Sequence, residues 1–155
     1  MTAFVLDNSV TMRWCFENTA TPYSEEVLEQ LLVGQQAHVP VLWLYEVVSV
    51  LAKAQRTASI TADKAHGFLE ERSLDIAVDD EGFDHIFGDV HRLAVEHGLS
   101  GHDAAYLELA IRKGLPLATL DEDLQKAARG AGVELFQPAW LEQHCVSRSA
   151  DPIAG

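Results

Sequence analysis

Short unbroken apolar runs and longer stretches of helical period take turns along this chain. Phe4, Val5 and Leu6 follow one another with no polar residue between them, the mark of a strand buried on both faces. Ser9 to Glu17 reads as a short helix. "TPYSEEVLEQLLVG" reads as another, opened by Thr21–Pro22, apolar at Val27, Leu28, Leu31 and Leu32, and stopped at Gly34. A short strand is expected around Val39, then a helix carrying Glu46 through "VLWLYEVVSVLA", which is apolar nearly all round and therefore expected to be buried. Further helices are expected from Thr61 to Arg72, from Glu81 to His97 with Gly98 as its stop, and from Gly101 to Lys113 with Gly114 as its stop. A strand around Leu74 to Val78, the "LPLATL" strand, a helix over "DEDLQKAARGAG" and a last strand over "VELFQ" complete the series. Strands alternating with helices predict an α/β fold, a parallel sheet covered on both faces.

Length and composition narrow this to one domain. The 155 residues are enough to bury roughly two-thirds of the unfolded surface. No repeat, low-complexity tract or linker interrupts residues 1–144, and residues 145–155 are expected to form a frayed tail. No apolar run approaches the ~20 residues of a membrane span, and no signal peptide is visible. Cys15 and Cys145 lie far apart and outside any CxxC spacing, as expected of free thiols in a reducing cytoplasm.

Charge changes the picture. Eleven basic against 24 acidic residues give a formal net charge of −13, which repels phosphate at long range. Such a chain handles nucleic acid only if metal ions and a few placed basic residues reverse the local field. The positions of the acids supply that possibility. Asp7 directly follows the first strand and Asp121 directly follows "LPLATL", so both fall at the carboxyl edge where parallel sheets bind ligands. Asp103 lies in the first turn of the helix after "GLS", and Glu46 within the first two turns of the helix after the Val39 strand. Each has a plain structural reading. Ser100 to Asp103 fits a capping box, Asp121 fits a helix cap, Asp7 can close a turn, and Glu46 can be a solvated carboxylate. Together they make a set of converging carboxylates, one of which would be protonated unless a cation held them. An all-oxygen pocket suits a hard divalent ion such as Mg²⁺ or Mn²⁺.

Other chemistries fit less well. His85, His91 and His97 recur every six residues and rotate around a helix, a poor zinc triad. No GxxxxGK[ST], GxGxxG or GxSxG is present. A phosphatase-like phosphoryl-transfer domain would want a second Asp two residues after Asp7, where this chain has Ser9. A non-catalytic binding module, with the acids as helix caps, is the remaining alternative. For substrate phosphate, Arg13 follows the Asp7 strand closely and Lys53 lies about two helical turns beyond Glu46. Arg112, Lys113, Lys126 and Arg129 are further candidates, although Lys113 and Arg129 fit better as solvated helix ends near a dipole's negative pole.

The blocks "VLDNSV", "PVLWLYEVVSVL", "LSGHDAAYLELAIRKGLPLATLDEDLQKAA" and "GVEL", in this order, resemble PIN-domain ribonucleases, in particular VapC-type toxins of bacterial toxin–antitoxin pairs. The resemblance covers nearly the whole chain. It implies a three-layer α/β/α sandwich on a parallel sheet over residues 1–144 and Mg²⁺- or Mn²⁺-dependent cleavage of RNA phosphodiesters. It also implies a cytoplasmic homodimer held in a hetero-oligomer by a cognate antitoxin. Carried over by position, it makes Asp7, Asp103 and Asp121 metal ligands and completes the catalytic set with Glu46. Ser9 and Thr119 match supporting polar positions, and Asp123 matches an extra acid. Trp14, Phe16 and Trp43 are candidates either for a dimer face or for the core.

Overall fold

The computed structural model describes residues 3–72 and 76–138. Four parallel strands form its sheet: β1 (Ala3–Leu6), β2 (Gln36–Pro40), β3 (Ile76–Asp79) and β4 (Leu117–Ala118), in the order β3-β2-β1-β4. Phe4, Val5 and Leu6 are all fully buried, so the unbroken apolar run of β1 does have both faces covered. Helix α1 (Asn8–Cys15) packs on both α2 (Pro22–Leu32) and α3 (Val41–Arg56), and α3 packs also on β2 and on α4 (Ala62–Arg72). Helix α6 (Gly101–Lys113) packs on β1 and β2 and carries α5 (His91–His97) and α7 (Glu122–Gly130) beside it. The result is an α/β sandwich. Each step from β1 to β2 to β3 moves outward on one side, and the return to β4 lands on the other side of β1. The strand order therefore reverses between β1 and β4, and the carboxyl end of that gap is where such folds place their ligands.

Local chemistry explains most element ends. Helix α2 starts in a reciprocal capping box, with Ser24 N–H donating to Thr21 Oγ1 (3.1 Å) and Thr21 N–H to Ser24 Oγ (2.8 Å). Helix α6 ends at Gly114, whose φ of +64° is left-handed and open to glycine at little cost.

Four expectations need correction. The helix expected from Glu81 to His97 is broken into a 3₁₀ turn (Gly82–His85), a π turn (Ile86–Val90) and the regular helix α5. Two glycines, Gly82 and Gly88, weaken helical preference there, and a Cβ on Gly82 would lie 2.6 Å from Asp79 Oδ2, so the turn hugs the end of β3. "LPLATL" contributes only two residues of strand, and "VELFQ" only a single parallel bridge, Leu117 to Leu135. Helix α3 is not buried all round. Trp43, Val47, Leu51 and Ala54 face the core, while Val41, Leu44, Tyr45 and Val48 form an exposed stripe. Trp43 is thus a core residue, and Trp14 and Phe16 pack against the core rather than forming an open face. Within the strand expected around Leu74 to Val78, Leu74 lies outside the described residues, as do Cys145 and the whole of 145–155.

Candidate active site

Backbone pairing between β1 and β4 assembles the centre of the site. Asp7 N–H donates to Ala118 O (3.0 Å), which sets Asp7 beside Thr119. Asp7 is buried, 5% exposed, and two hydroxyls converge on its Oδ2: Ser9 Oγ at 2.6 Å and Thr119 Oγ1 at 2.7 Å. Each hydroxyl is itself oriented by a backbone donor, Ser9 Oγ by Leu120 N–H and Thr119 Oγ1 by Asp121 N–H, both at 3.0 Å. Ser9 therefore spends its proton on Asp7. Behind it, Trp43 Nε1 donates to Thr11 Oγ1 (3.0 Å), tying α3 to the first turns of α1.

The other acids arrive from three further elements. Asp103 sits in the first turn of α6, its N–H bonded to Ser100 Oγ (3.1 Å). Asp121 is the N-cap of α7 and accepts from Leu124 N–H through Oδ1 (2.8 Å). The cap expected at Asp121 holds, and at Ser100 only half of the expected capping box forms, the bond from the Asp103 N–H to Ser100 Oγ. Glu46, half-buried on α3, accepts 2.7 Å from the hydroxyl of Tyr106, which is fully buried on α6. Asp123 is exposed on α7.

Their electrostatics show that these groups share one field. Burial pushes the Asp7 carboxyl above its ordinary value; the two hydroxyls oppose this, and the charge of Asp103 adds to it. Burial also raises Glu46, with Asp7 and Asp103 adding and Tyr106 and His102 opposing. Asp103 is raised by burial and then by Asp121, with a smaller push from Asp123, against the opposing effects of Ser100 and His102. The ion pairs of the described residues run elsewhere, to Lys64, Arg92 and Arg112 among others. Next to Asp7, the buried Asn8 Oδ1 has no hydrogen-bond partner. An all-oxygen set, raised in pKa at Asp7, Glu46 and Asp103 and without a Lys or Arg salt bridge among the described residues, fits a hard divalent cation.

These acids are not drawn tightly together. Among the described residues, the one group of three or more ligand atoms all within 4.8 Å of one another is His85, Asp89 and Glu108, on the far side of α6. That group does not fit a cation. Arg112 already grips Glu108 through Nε (2.7 Å) and Nη2 (3.2 Å), and grips Asp79 through Nη2 (2.6 Å) and Nη1 (3.2 Å). An ion at Glu108 Oε1 would have to displace the guanidinium. Sequence reasoning missed this network, and it corrects the placing of Arg112 among phosphate contacts. The signal was available: "IAVD" ends in Asp79 as "FVLD" ends in Asp7.

The two phosphate candidates lie at the margins. Arg13 Nη1 donates to Thr19 O (3.4 Å), and exposed Lys53 stands in the last turns of α3, about 10 Å of helical rise from Glu46. Lys113 approaches Asp79 (4.0 Å), while Lys126 and Arg129 are exposed on α7. A cleft of about 600 Å³ opens beside the first turn of α6, lined by Val41, Phe83, Ile86, Phe87, His91 and His102. Phe83 and Phe87 are 84% and 98% exposed.

The comparisons agree with this geometry. The ribonuclease VapC3 of Pyrobaculum aerophilum is 33% identical over 102 residues, 65% of this chain and 78% of that protein. In fold, the chain matches PAE2754 from the same organism with a TM-score of 0.65 at 21% identity, covering 94% of this chain and 96% of that one. It matches VapBC2 from Rickettsia felis, solved on a DNA fragment from its promoter, with a TM-score of 0.63 at 14% identity over 87% and 98% of the two chains. FitAcB from Neisseria gonorrhoeae follows at 0.57 and 20% identity, over 87% and 97%. The PIN domain model matches residues 4–130, from the first strand through the last described helix, and the chain belongs to the PIN domain family.

Proposed function

We propose that this protein is a divalent-metal-dependent endoribonuclease, the toxin of a toxin–antitoxin pair. The observation that carries the reading is the set of acids at the β1/β4 switch point, of which Asp7, Glu46 and Asp103 are raised in pKa and form no salt bridge with Lys or Arg among the described residues. Asp7, Asp103 and Asp121 would hold Mg²⁺ or Mn²⁺, with Glu46 completing the site and Asp123 adding charge at its rim. A cation held by these residues would supply Lewis-acid polarisation of a phosphate and a lowered pKa for an attacking water. The chain's own part is to aim these oxygens. Ser9 and Thr119 fix the Asp7 carboxylate through Oδ2, and the cap at Asp121 keeps that side chain at the sheet edge. Lys53 is the better placed phosphate contact, since the Arg13 guanidinium is engaged by Thr19.

The name of the Pyrobaculum relative, a ribonuclease, supports RNA as substrate. The Rickettsia complex supports a cognate antitoxin as partner. We expect the chain to act in the cytoplasm as a homodimer. No helix of the described residues is long and apolar enough to cross a membrane. An antitoxin Arg offered to Asp7, Glu46, Asp103 and Asp121 would compete with the metal, and a chain of charge −13 would speed encounter with a basic partner.

The deciding experiment incubates the purified protein with structured RNA in Mg²⁺ or Mn²⁺. Cleavage is expected, stopped by EDTA and abolished in Asp7→Asn with circular dichroism unchanged. Undiminished cleavage by that variant would sink the assignment.

A further inference from the structure

We propose that Tyr106 is a positioning residue for Glu46, holding one of its carboxylate oxygens so that the other is presented to the metal centre. The inference rests on the metal-dependent reading above. Tyr106 lies one turn beyond Asp103 on α6, so the helix face that delivers Asp103 also delivers the phenol. The ring is fully buried, and its hydroxyl donates 2.7 Å to Glu46 Oε1 across 60 residues of sequence. A phenylalanine would fill the same apolar space, so the hydroxyl is accounted for by its partner on α3.

Glu46 needs such a partner. It is half-buried on a helix with open solvent beside it, and the charges of Asp7 and Asp103 both act against its ionised form. With three rotatable bonds and no ion pair, the carboxylate would otherwise swing outward, away from the other acids. Tyr106 uses Oε1, which leaves Oε2 available to a cation held by the site. Helix α6 thereby sets the spacing between its own Asp103 and a carboxylate from α3, although the two helices reach the sheet edge from different strands.

The test is a double-mutant cycle on Mn²⁺ binding, measured by titration calorimetry on the full chain at one pH, with thermal unfolding in EDTA alongside. Tyr106→Phe is expected to bind Mn²⁺ about tenfold more weakly than wild type, the size typical of a lost partner of a metal ligand. In a Glu46→Ala background the same change is expected to cost nothing further, because the hydroxyl then has nothing to position. Glu46→Asp keeps the charge but withdraws it from the phenol, and is expected to lose affinity to a similar degree. Wild-type affinity in Tyr106→Phe or in Glu46→Asp overturns the proposal. So does an equal loss from Tyr106→Phe in both backgrounds, which would place its effect on the fold. A wild-type chain that binds no Mn²⁺ at all overturns the metal-centre reading, and the positioning role with it.

Discussion

Two aspartates end parallel strands at the same sheet edge, and their surroundings differ. Asp79, the last residue of β3, meets a guanidinium: Arg112 from α6 bonds both of its oxygens and both oxygens of Glu108. Burial pushes Asp79 upward, yet the Arg112 hydrogen bonds and charge outweigh it and hold the carboxyl below its ordinary value. Those same bonds push Arg112 above its own ordinary value. Asp7, directly after β1, meets two hydroxyls and further acids, and its carboxyl is held above. Both aspartates are little exposed, 6% and 5%, but Asp7 sits deeper among protein atoms, and burial is the main reason its carboxyl is raised. The second difference is whether the chain supplies a cation. At Asp79 it does, and the network joins β3 to α6. At Asp7 it does not, and on the proposed reading a bound ion would supply the missing charge.

The sharpest way to break this comparison is Arg112→Ala. It would leave buried Asp79 with only the more distant Lys113 (4.0 Å) and buried Glu108 with only His85 (3.8 Å), a loss of about 3–5 kcal/mol. Thermal unfolding should show a Tm lower by roughly 6–20 °C at this chain length. A fall of only a degree or two would mean that water already satisfies these acids. Asp79→Asn follows, with an expected loss of about 1.5–3 kcal/mol from weakened charge-assisted bonds, read by urea denaturation.

Asp7→Asn should move the other way. In EDTA it removes a disfavoured charge while leaving an oxygen to accept from Ser9 and Thr119. A stability gain of about 1 kcal/mol corresponds to a Tm higher by roughly 2–4 °C. A lower Tm would show that the Asp7 charge is structurally bonded. The smallest effect is its pH dependence. A carboxyl raised in the folded state contributes stability below its unfolded value, and that contribution is lost as pH rises through the folded value. The advantage of Asp7→Asn should therefore be absent near pH 3.5 and grow toward pH 7. Asp79, held low, has the opposite sign: its contribution is present above the ordinary carboxylate value and fades as pH falls through the folded one. Tm against pH for the two Asn variants should diverge in opposite directions, and parallel curves would refute the contrast.

What could be read from the sequence was mostly local. The β1 run, the Thr21–Pro22 helix start and the Gly114 stop depend on residues within a turn of one another, and each is found where expected. Residues 81–97 were not legible because the apolar spacing ignores Gly82's close approach to Asp79, a contact set by the end of a strand. The acids at the edge could be placed, since strand ends and helix starts fix them. Their partners could not. Tyr106 lies 60 residues from Glu46, and Arg112 lies 33 from Asp79, separations over which no periodicity carries information. The same limit hid the exposed stripe of α3. Its composition is apolar all round, and only packing decides which side meets the core.

The pairing of β1 with β4 has a consequence for the protein's synthesis. Asp7 and the hydroxyl of Thr119 that holds it are 112 residues apart. A chain emerging from the ribosome has β1, β2 and the first helices outside long before β4 exists, and domains settle as their later segments arrive. Until then the first aspartate lacks both its neighbouring strand and the acids of α6 and α7. On the proposed reading, a half-made molecule has no complete centre with which to cut RNA. The order of the strands would keep the nascent chain harmless, and any cutting would begin only once the whole sheet has closed.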